Sequence, residues 1–178
     1  MIEVEVKARC GPEVLDKILA MGAILGGTEH HQDIYFNSPI RDFRETDEAL
    51  RIRIKEQGAR LTYKGPKLDS QTKSRLEMTV EIDDPACMEK ILAELGFRPS
   101  GEVWKQRTKY TLGEVTFALD EVEGLGSFLE IEALAKDDWT AKQDWVLEIL
   151  HQLCLGESIR KSYLELLEEQ HLEGGSKS

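Results

Sequence analysis

No apolar run in this chain approaches the ~20 residues that a bilayer-spanning helix needs, and its first ten residues alternate charged with apolar positions in place of a leader-like stretch. A cytoplasmic protein without a membrane partner is expected. Basic residues are the minority, 23 Lys and Arg against 34 Asp and Glu for a net charge of −11, so the chain lacks the cationic surface that nucleic acid or an anionic bilayer demands. A local basic pocket remains compatible with that balance. Cysteine is scarce: Cys10, Cys87 and Cys154 are odd in number, far apart and without CxxC or histidine partners at ligand spacing. They read as reduced packing residues of a cytosolic protein. The glycine-rich phosphate cradles are missing too, since neither GxxxxGK[ST] nor a GxGxxG following a strand occurs. No Ser-His-Asp arrangement stands out.

What is present is a globular composition. The 178 residues are 40% hydrophobic and 32% charged, one domain's worth of chain that should bury roughly two-thirds of its unfolded surface. Alternation of apolar and charged residues predicts eight strands: Glu3–Lys7, Asp33–Phe36, Leu50–Ile54, Leu61–Lys64, Arg75–Ile82, Trp104–Tyr110, Val115–Asp120 and Phe128–Ala133. Apolar spacing of three and four predicts helices over Pro12–Met21, Pro85–Leu95, Trp139–Leu155 and Ser158–Glu168, with Gly22 and Gly96 as stops. Pro12 and Lys17–Ala20 recur 73 residues later as Pro85 and Lys90–Ala93, so one strand-helix-strand-strand-strand unit is used twice. The fold class is α+β: an eight-stranded antiparallel barrel, or tunnel, with helices packed outside. The domain is expected over residues 1–169, with 170–178 a disordered tail.

The polar phase of these strands is filled by Lys, Arg, Glu and Asp rather than Ser and Thr. Glu3, Glu5 and Lys7 share the first strand; Arg51, Arg53, Lys55 and Lys64 follow; then Arg75, Glu77 and Glu81; Lys105, Arg107 and Lys109; Asp120; Glu130 and Glu132. On one strand such a pattern is an ordinary solvated face. On eight it suits a charged lumen that binds a polyanion through divalent cations. The four helices would then cover the apolar outer face.

Glu3 and Glu5 lie roughly 7 Å apart on one side of a strand, as do Glu130 and Glu132, because side chains repeat at twice the strand rise. With Asp120 as a third contributor they form an oxygen donor set for a hard cation such as Mg²⁺, needing no His or Cys. Arg forks and Lys point charges suit phosphate oxygens. Phosphoryl or nucleotidyl transfer is the natural reaction class, since its catalysis is mostly positioning and charge neutralisation. His30 and His31 read as surface or strand-edge residues ahead of a catalytic base, and Tyr35, Tyr63 and Tyr110 as packing residues ahead of base-stacking ones. Gly124-Leu125-Gly126 reads as a hairpin.

The opening Glu3-Val4-Glu5-Val6-Lys7 matches an ExExK signature. It is joined in order by His31–Phe36, Ala49–Arg53, Thr62–Pro66, Ser74–Glu77, Lys105–Arg107, Leu119–Val122 and Leu125–Glu132. Together these motifs resemble the CYTH proteins, or triphosphate tunnel metalloenzymes, over residues 1 to 167. The Asp42–Arg51 and Trp104–Arg107 stretches look closest to the class IV adenylyl cyclase-like branch. The resemblance implies a tunnel binding a triphosphate with Mg²⁺ or Mn²⁺. It implies metal ligands at Glu3, Glu5, Asp120, Glu130 and Glu132, and triphosphate contacts at Lys7, Arg51, Arg53, Lys64, Arg75, Lys105 and Arg107, with Glu77 in support. Glu5, Lys7 and Glu130 would carry catalysis. Three activities stay open: cyclisation of ATP to cyclic AMP and pyrophosphate, hydrolysis of thiamine or inorganic triphosphate, and non-catalytic binding of nucleotide or polyphosphate. A homodimer is also left open.

Overall fold

A computed structural model describes residues 2–68, 74–135 and 139–175. Its strands are β1 (Ile2–Arg9), β2 (Ile24–Asn37), β3 (Ala49–Lys55), β4 (Gly58–Lys67), β5 (Arg75–Ile82), β6 (Arg98–Leu112), β7 (Val115–Val122) and β8 (Gly126–Ala135). They close in the order β1-β5-β4-β3-β2-β6-β7-β8 into an antiparallel barrel, which leaves no edge strand to protect. Exchanging β1–β4 with β5–β8 reproduces the same ring of neighbours, so the sequence repeat is a structural two-fold. The ring is uneven. β2 and β6 pair from Ile24↔Thr111 to Asn37↔Arg98, whereas β1 and β5 meet, among the described residues, only through Ile2↔Leu76 and Glu3↔Arg75.

The helices are α1 (Glu13–Ala20), α2 (Pro85–Glu94), α3 (Trp139–Gln152) and α4 (Tyr163–Gly175). Both copies of the repeat stop their helix alike. Ala23 N donates to Ile18 O with Gly22 at φ +93°, and Phe97 N donates to Leu92 O with Gly96 at φ +89°; glycine occupies this left-handed position without a Cβ penalty. Outward strand residues such as Val4, Val6, Phe117 and Ile131 pack with α1 and α3, while Leu92 of α2 packs on Ile34, Phe36 and Ile52. The outer face of β5 is the exception to helical cover, since Leu76, Met78 and Val80 are exposed. Among the described residues no helix is long and apolar enough to cross a membrane.

The fourth helix begins at Tyr163, five residues later than the apolar spacing predicts. Ser162 and Glu165 cap it reciprocally, Glu165 N donating to Ser162 Oγ and Ser162 N to Glu165 Oε2. The preceding segment is irregular because β1 claims it: Ile159 N donates to Lys7 O at 2.6 Å, and Lys7 Nζ to Lys161 O at 2.5 Å. Helical backbone continues to Gly175, past the boundary expected at residue 169. Residues 176–178 of the expected tail lie outside the described residues.

Candidate active site

Alternation does in the structure what the charged phase requires. With Val4, Val6 and Ala8 facing the helices, Glu3, Glu5 and Lys7 face inward, and the same phase on the other strands completes a chamber of about 950 Å³. Eight cationic and six carboxylate side chains line it, so the lumen is net positive inside a net negative chain. All seven residues expected to contact triphosphate are in this lining, joined by Lys109.

β1 and β8 set Glu5 directly opposite Glu132, and Lys7 opposite Glu130. Like charges facing each other across a ladder repel, yet oxygens of Glu3, Glu5 and Glu132 converge to within 4.8 Å of one another. Burial pushes the Glu132 carboxyl up to about 7 against the pull of Arg107, with the repulsion of Glu3, Glu130 and Glu5 adding to the rise. Cations bracket the trio: Lys64 Nζ is 2.6 Å from Glu3 Oε2 and 2.7 Å from Glu77 Oε2, and Arg107 Nη1 is 2.9 Å from Glu132 Oε1. An all-oxygen donor set of this kind fits a hard divalent cation.

Asp120 and Glu130 stand outside the trio. Arg107 donates Nε and Nη2 to the two oxygens of Asp120 at 2.7 and 2.6 Å, and Nη2 also reaches Glu130. Lys105 Nζ and Tyr163 Oη add bonds to Asp120 Oδ2 at 2.8 and 2.9 Å. Burial works against the Asp120 charge, but Arg107 and Lys105 hold its carboxyl below the usual range. Burial, with Arg107 alongside, pulls the Lys105 ammonium down to about 8. The structure thus puts Asp120 to work neutralising and aiming two cations, with Glu130 tied to the same guanidinium.

A second knot sits on β2 and β3. Asp33 accepts from Arg53 Nε and Nη2 at 2.6 and 2.7 Å and from Arg51 Nη1 at 3.4 Å. Burial opposes this charge too, and Arg53 and Arg51 overcome it, holding the carboxyl far below its usual range. Arg51 Nε is buried without a hydrogen-bond partner among the described residues. Asp33 carried no role in the sequence reading; its phase on β2 was an available signal, and its register opposite Arg53 comes from the structure.

Two further residues depart from expectation. His31 is buried, not at the surface: its Nε2 bonds Glu29 at 2.9 Å, and burial, aided by Arg53, pulls the ring down to about 3. His30 is exposed, as expected, beside Glu56. Tyr163 was read only as part of the last helix, but its ring lies 4.1 Å from Lys7 Nζ and 4.9 Å from Lys105 Nζ. That is cation–π range for both ammonium groups.

A family model described as the CYTH domain matches residues 1–163. A Methanocaldococcus jannaschii protein, MJ0240, named as a candidate adenylate cyclase, is 42% identical over 174 residues, covering 93% of this chain and 98% of that one. The structure of PH1819 from Pyrococcus horikoshii superposes with a TM-score of 0.88 at 44% identity, over 94% of this chain and 99% of that one. The Hippeastrum protein HpAC1, described as a candidate adenylyl cyclase with a dominant triphosphatase activity, has a TM-score of 0.66. It is 20% identical, over 95% of each chain, and shares the fold.

Proposed function

Because the chain belongs to the CYTH family, we propose that it is a divalent-metal-dependent enzyme acting on a triphosphate held inside the barrel. The observation that carries this reading is the convergence of Glu3, Glu5 and Glu132 beside a lumen of Arg and Lys. Mg²⁺ or Mn²⁺ bound by that trio would supply charge neutralisation at the reacting phosphorus. The chain's own residues do the rest. Arg51, Arg53, Arg75 and Arg107 fork onto phosphate oxygens, Lys7, Lys64 and Lys105 add point charges, and the Asp33 and Asp120 knots hold Arg51, Arg53, Lys105 and Arg107 in place before substrate arrives, which is where electrostatic catalysis draws its strength.

Cyclisation of ATP is the first form of this reading, in line with the name of MJ0240. It needs the α-phosphorus beside the trio and the ribose 3′-hydroxyl held for in-line attack, with pyrophosphate leaving. Hydrolysis is the second form, directing water at the terminal phosphorus of an organic or inorganic triphosphate. Incubation with ATP, thiamine triphosphate and tripolyphosphate in Mg²⁺ or Mn²⁺, followed by chromatography, tests both. Cyclic AMP with pyrophosphate supports cyclisation, and nucleoside diphosphate with phosphate supports hydrolysis. No product from any of the three, in either metal, overturns the enzyme reading and leaves a binding module.

A further inference from the structure

We propose that Asp47, which lies outside the lining of the chamber, is a positioning residue for substrate binding. It holds Arg75 beside Lys67, two cations that the strand register sets face to face, and so keeps Arg75 aimed at the phosphates. This role rests on the triphosphate reading above and adds to it a residue that touches no substrate.

Most of the cations expected on the triphosphate have a carboxylate of their own inside the barrel. Arg51 and Arg53 have Asp33, Lys105 and Arg107 have Asp120, and Lys64 has Glu3 and Glu77. Arg75 is placed differently. Glu3 lies opposite it on β1 but is bonded to Lys64. On the other side, Lys64 faces Glu77 and Lys67 faces Arg75, three steps along β4 against two along β5. One extra residue is therefore accommodated at Gly65-Pro66, and a bulge is where a strand tolerates proline. The bulge returns Lys67 to the phase of Arg75 in spite of its odd spacing from Lys64. Like charges directly opposite on a ladder repel. Each of these two side chains is only 11% exposed, so water screens the repulsion poorly.

Asp47 supplies the missing charge from the turn ahead of β3. Its backbone is left-handed at φ +53°, a conformation that aspartate tolerates better than most residues and that its surroundings must hold in place. Its Oδ2 accepts from Lys67 N at 2.8 Å and its Oδ1 from Lys67 Nζ, and the same Oδ1 stands 3.7 Å from Arg75 Nη2. One oxygen thus ties down the strand that carries Lys67 while the other sits against both cations. Burial opposes the Asp47 charge, and Lys67 and Arg75 overcome it, holding the carboxyl below its usual range. Without the carboxylate the repulsion from Lys67 is unopposed, and Arg75 turns from the phosphates.

The sign of one substitution separates aiming from simple neutralisation. Asp47→Asn keeps a residue that accepts left-handed backbone and an oxygen for Lys67 N, and removes only the charge. If Asp47 merely neutralised its neighbours, losing a negative charge near a polyanion would tighten binding. If it aims Arg75, binding weakens. Calorimetry with inorganic tripolyphosphate in EDTA, where a metal-dependent enzyme turns nothing over, should show Asp47→Asn about tenfold weaker than the unaltered protein. In an Arg75→Gln background the same substitution should cost less than about twofold further, and Asp47→Asn with Lys67→Gln, which removes the repulsion as well, should recover to within about threefold. Thermal melting should barely move in Asp47→Asn, because Asp47 is partly exposed and such ion pairs add little stability. Tighter or unchanged binding in Asp47→Asn, a full tenfold loss in the Arg75→Gln background, or no recovery on adding Lys67→Gln overturns the proposal. Failure of the unaltered protein to bind tripolyphosphate, in EDTA or in Mg²⁺, overturns the triphosphate reading and the proposal with it.

Discussion

Asp33 and Asp120 are both buried carboxylates that bind a guanidinium through two oxygens, yet they do different work. The two-fold carries β2 onto β6 and β3 onto β7, so acid and base trade strands: the first knot has its acid on β2 and its arginines on β3, the second has its cations on β6 and its acid on β7. The Asp33 knot ends at its two arginines and leaves Arg51 Nε without a partner. The Asp120 knot runs on through Arg107 to Glu130 and Glu132, and is closed by Tyr163 from α4. One knot presents unused donors to a ligand. The other ties the cation wall to the carboxylate trio, and its failure should be felt throughout the barrel.

That contrast is broken most directly by removing one arginine from each knot. Arg107→Met leaves Asp120, Glu130 and Glu132 short of a buried counter-charge, and a loss of about 3–5 kcal/mol is expected in urea unfolding. Arg51→Met leaves Asp33 with its bidentate partner Arg53 and should cost about 1–2 kcal/mol, with the main effect on tripolyphosphate affinity. Equal stability losses in the two variants would dissolve the distinction.

Glu5→Gln keeps shape and removes ligand charge from the trio. Metal-dependent turnover should fall by about 10²-fold or more, with the barrel no less stable because a repulsion is relieved. Unchanged turnover at saturating Mn²⁺ would take Glu5 out of the metal's ligands. Asp120→Asn should behave in the opposite way, losing stability first and rate through misplaced Arg107 and Lys105.

The difference between Glu5 and Asp120 also marks how far the sequence could be read. Period-two alternation in the eight segments and the matched Pro12 and Pro85 helices carried the barrel and its two halves, because backbone geometry ties strand phase to one face. It brought every cation expected to contact triphosphate to the chamber. What alternation cannot convey is which inward carboxylate faces which inward cation. That depends on register between strands far apart in sequence, such as Arg107↔Asp120 and Asp33↔Arg53. Asp120 and Glu132 look alike along the chain; cross-strand neighbours alone separate an acid that aims Arg107 and Lys105 from one that meets two other acids. The late start of α4 was hidden for the same reason, since it is set by a distant partner, β1.

A smaller effect is expected at the closure of the second knot. Tyr163→Phe keeps the ring beneath Lys7 and Lys105 and loses the bond to Asp120, a cost of about 1 kcal/mol. Tyr163→Leu also loses both cation–π contacts and should add about 0.5–1 kcal/mol, with a rise in KM for tripolyphosphate that Tyr163→Phe does not share. If the two variants unfold alike and bind alike, the ring contributes only bulk.

The smallest effect separates the first knot from its neighbour along β2. His31 sits with Glu29 below it and Arg53, Lys105 and Arg107 around it; burial and those cations hold the ring near 3 against an ordinary 6.5. The folded protein therefore declines a proton that the unfolded chain accepts once the pH drops below 6.5, so the His31 contribution should fall as pH is lowered from there, by up to about 1.4 kcal/mol per pH unit. Glu29 is itself held down to about 2 from 4.5, burial being overcome by His31, Lys55 and Lys109, and adds its own loss only below pH 4.5. Glu132 works the other way between pH 7 and 4.5, since its carboxyl, raised to about 7 by burial, takes up a proton more readily in the folded barrel than in the unfolded chain. The His31 share is therefore read from the difference between two profiles. Urea unfolding of His31→Gln at pH 6.5, 5.5 and 4.5 should change more favourably on acidification than that of the unaltered protein, with lower stability at the upper end. Parallel profiles would show that the imidazole takes up a proton in the folded barrel, and the cations of the two knots would then have to be less effective at His31 than their geometry implies.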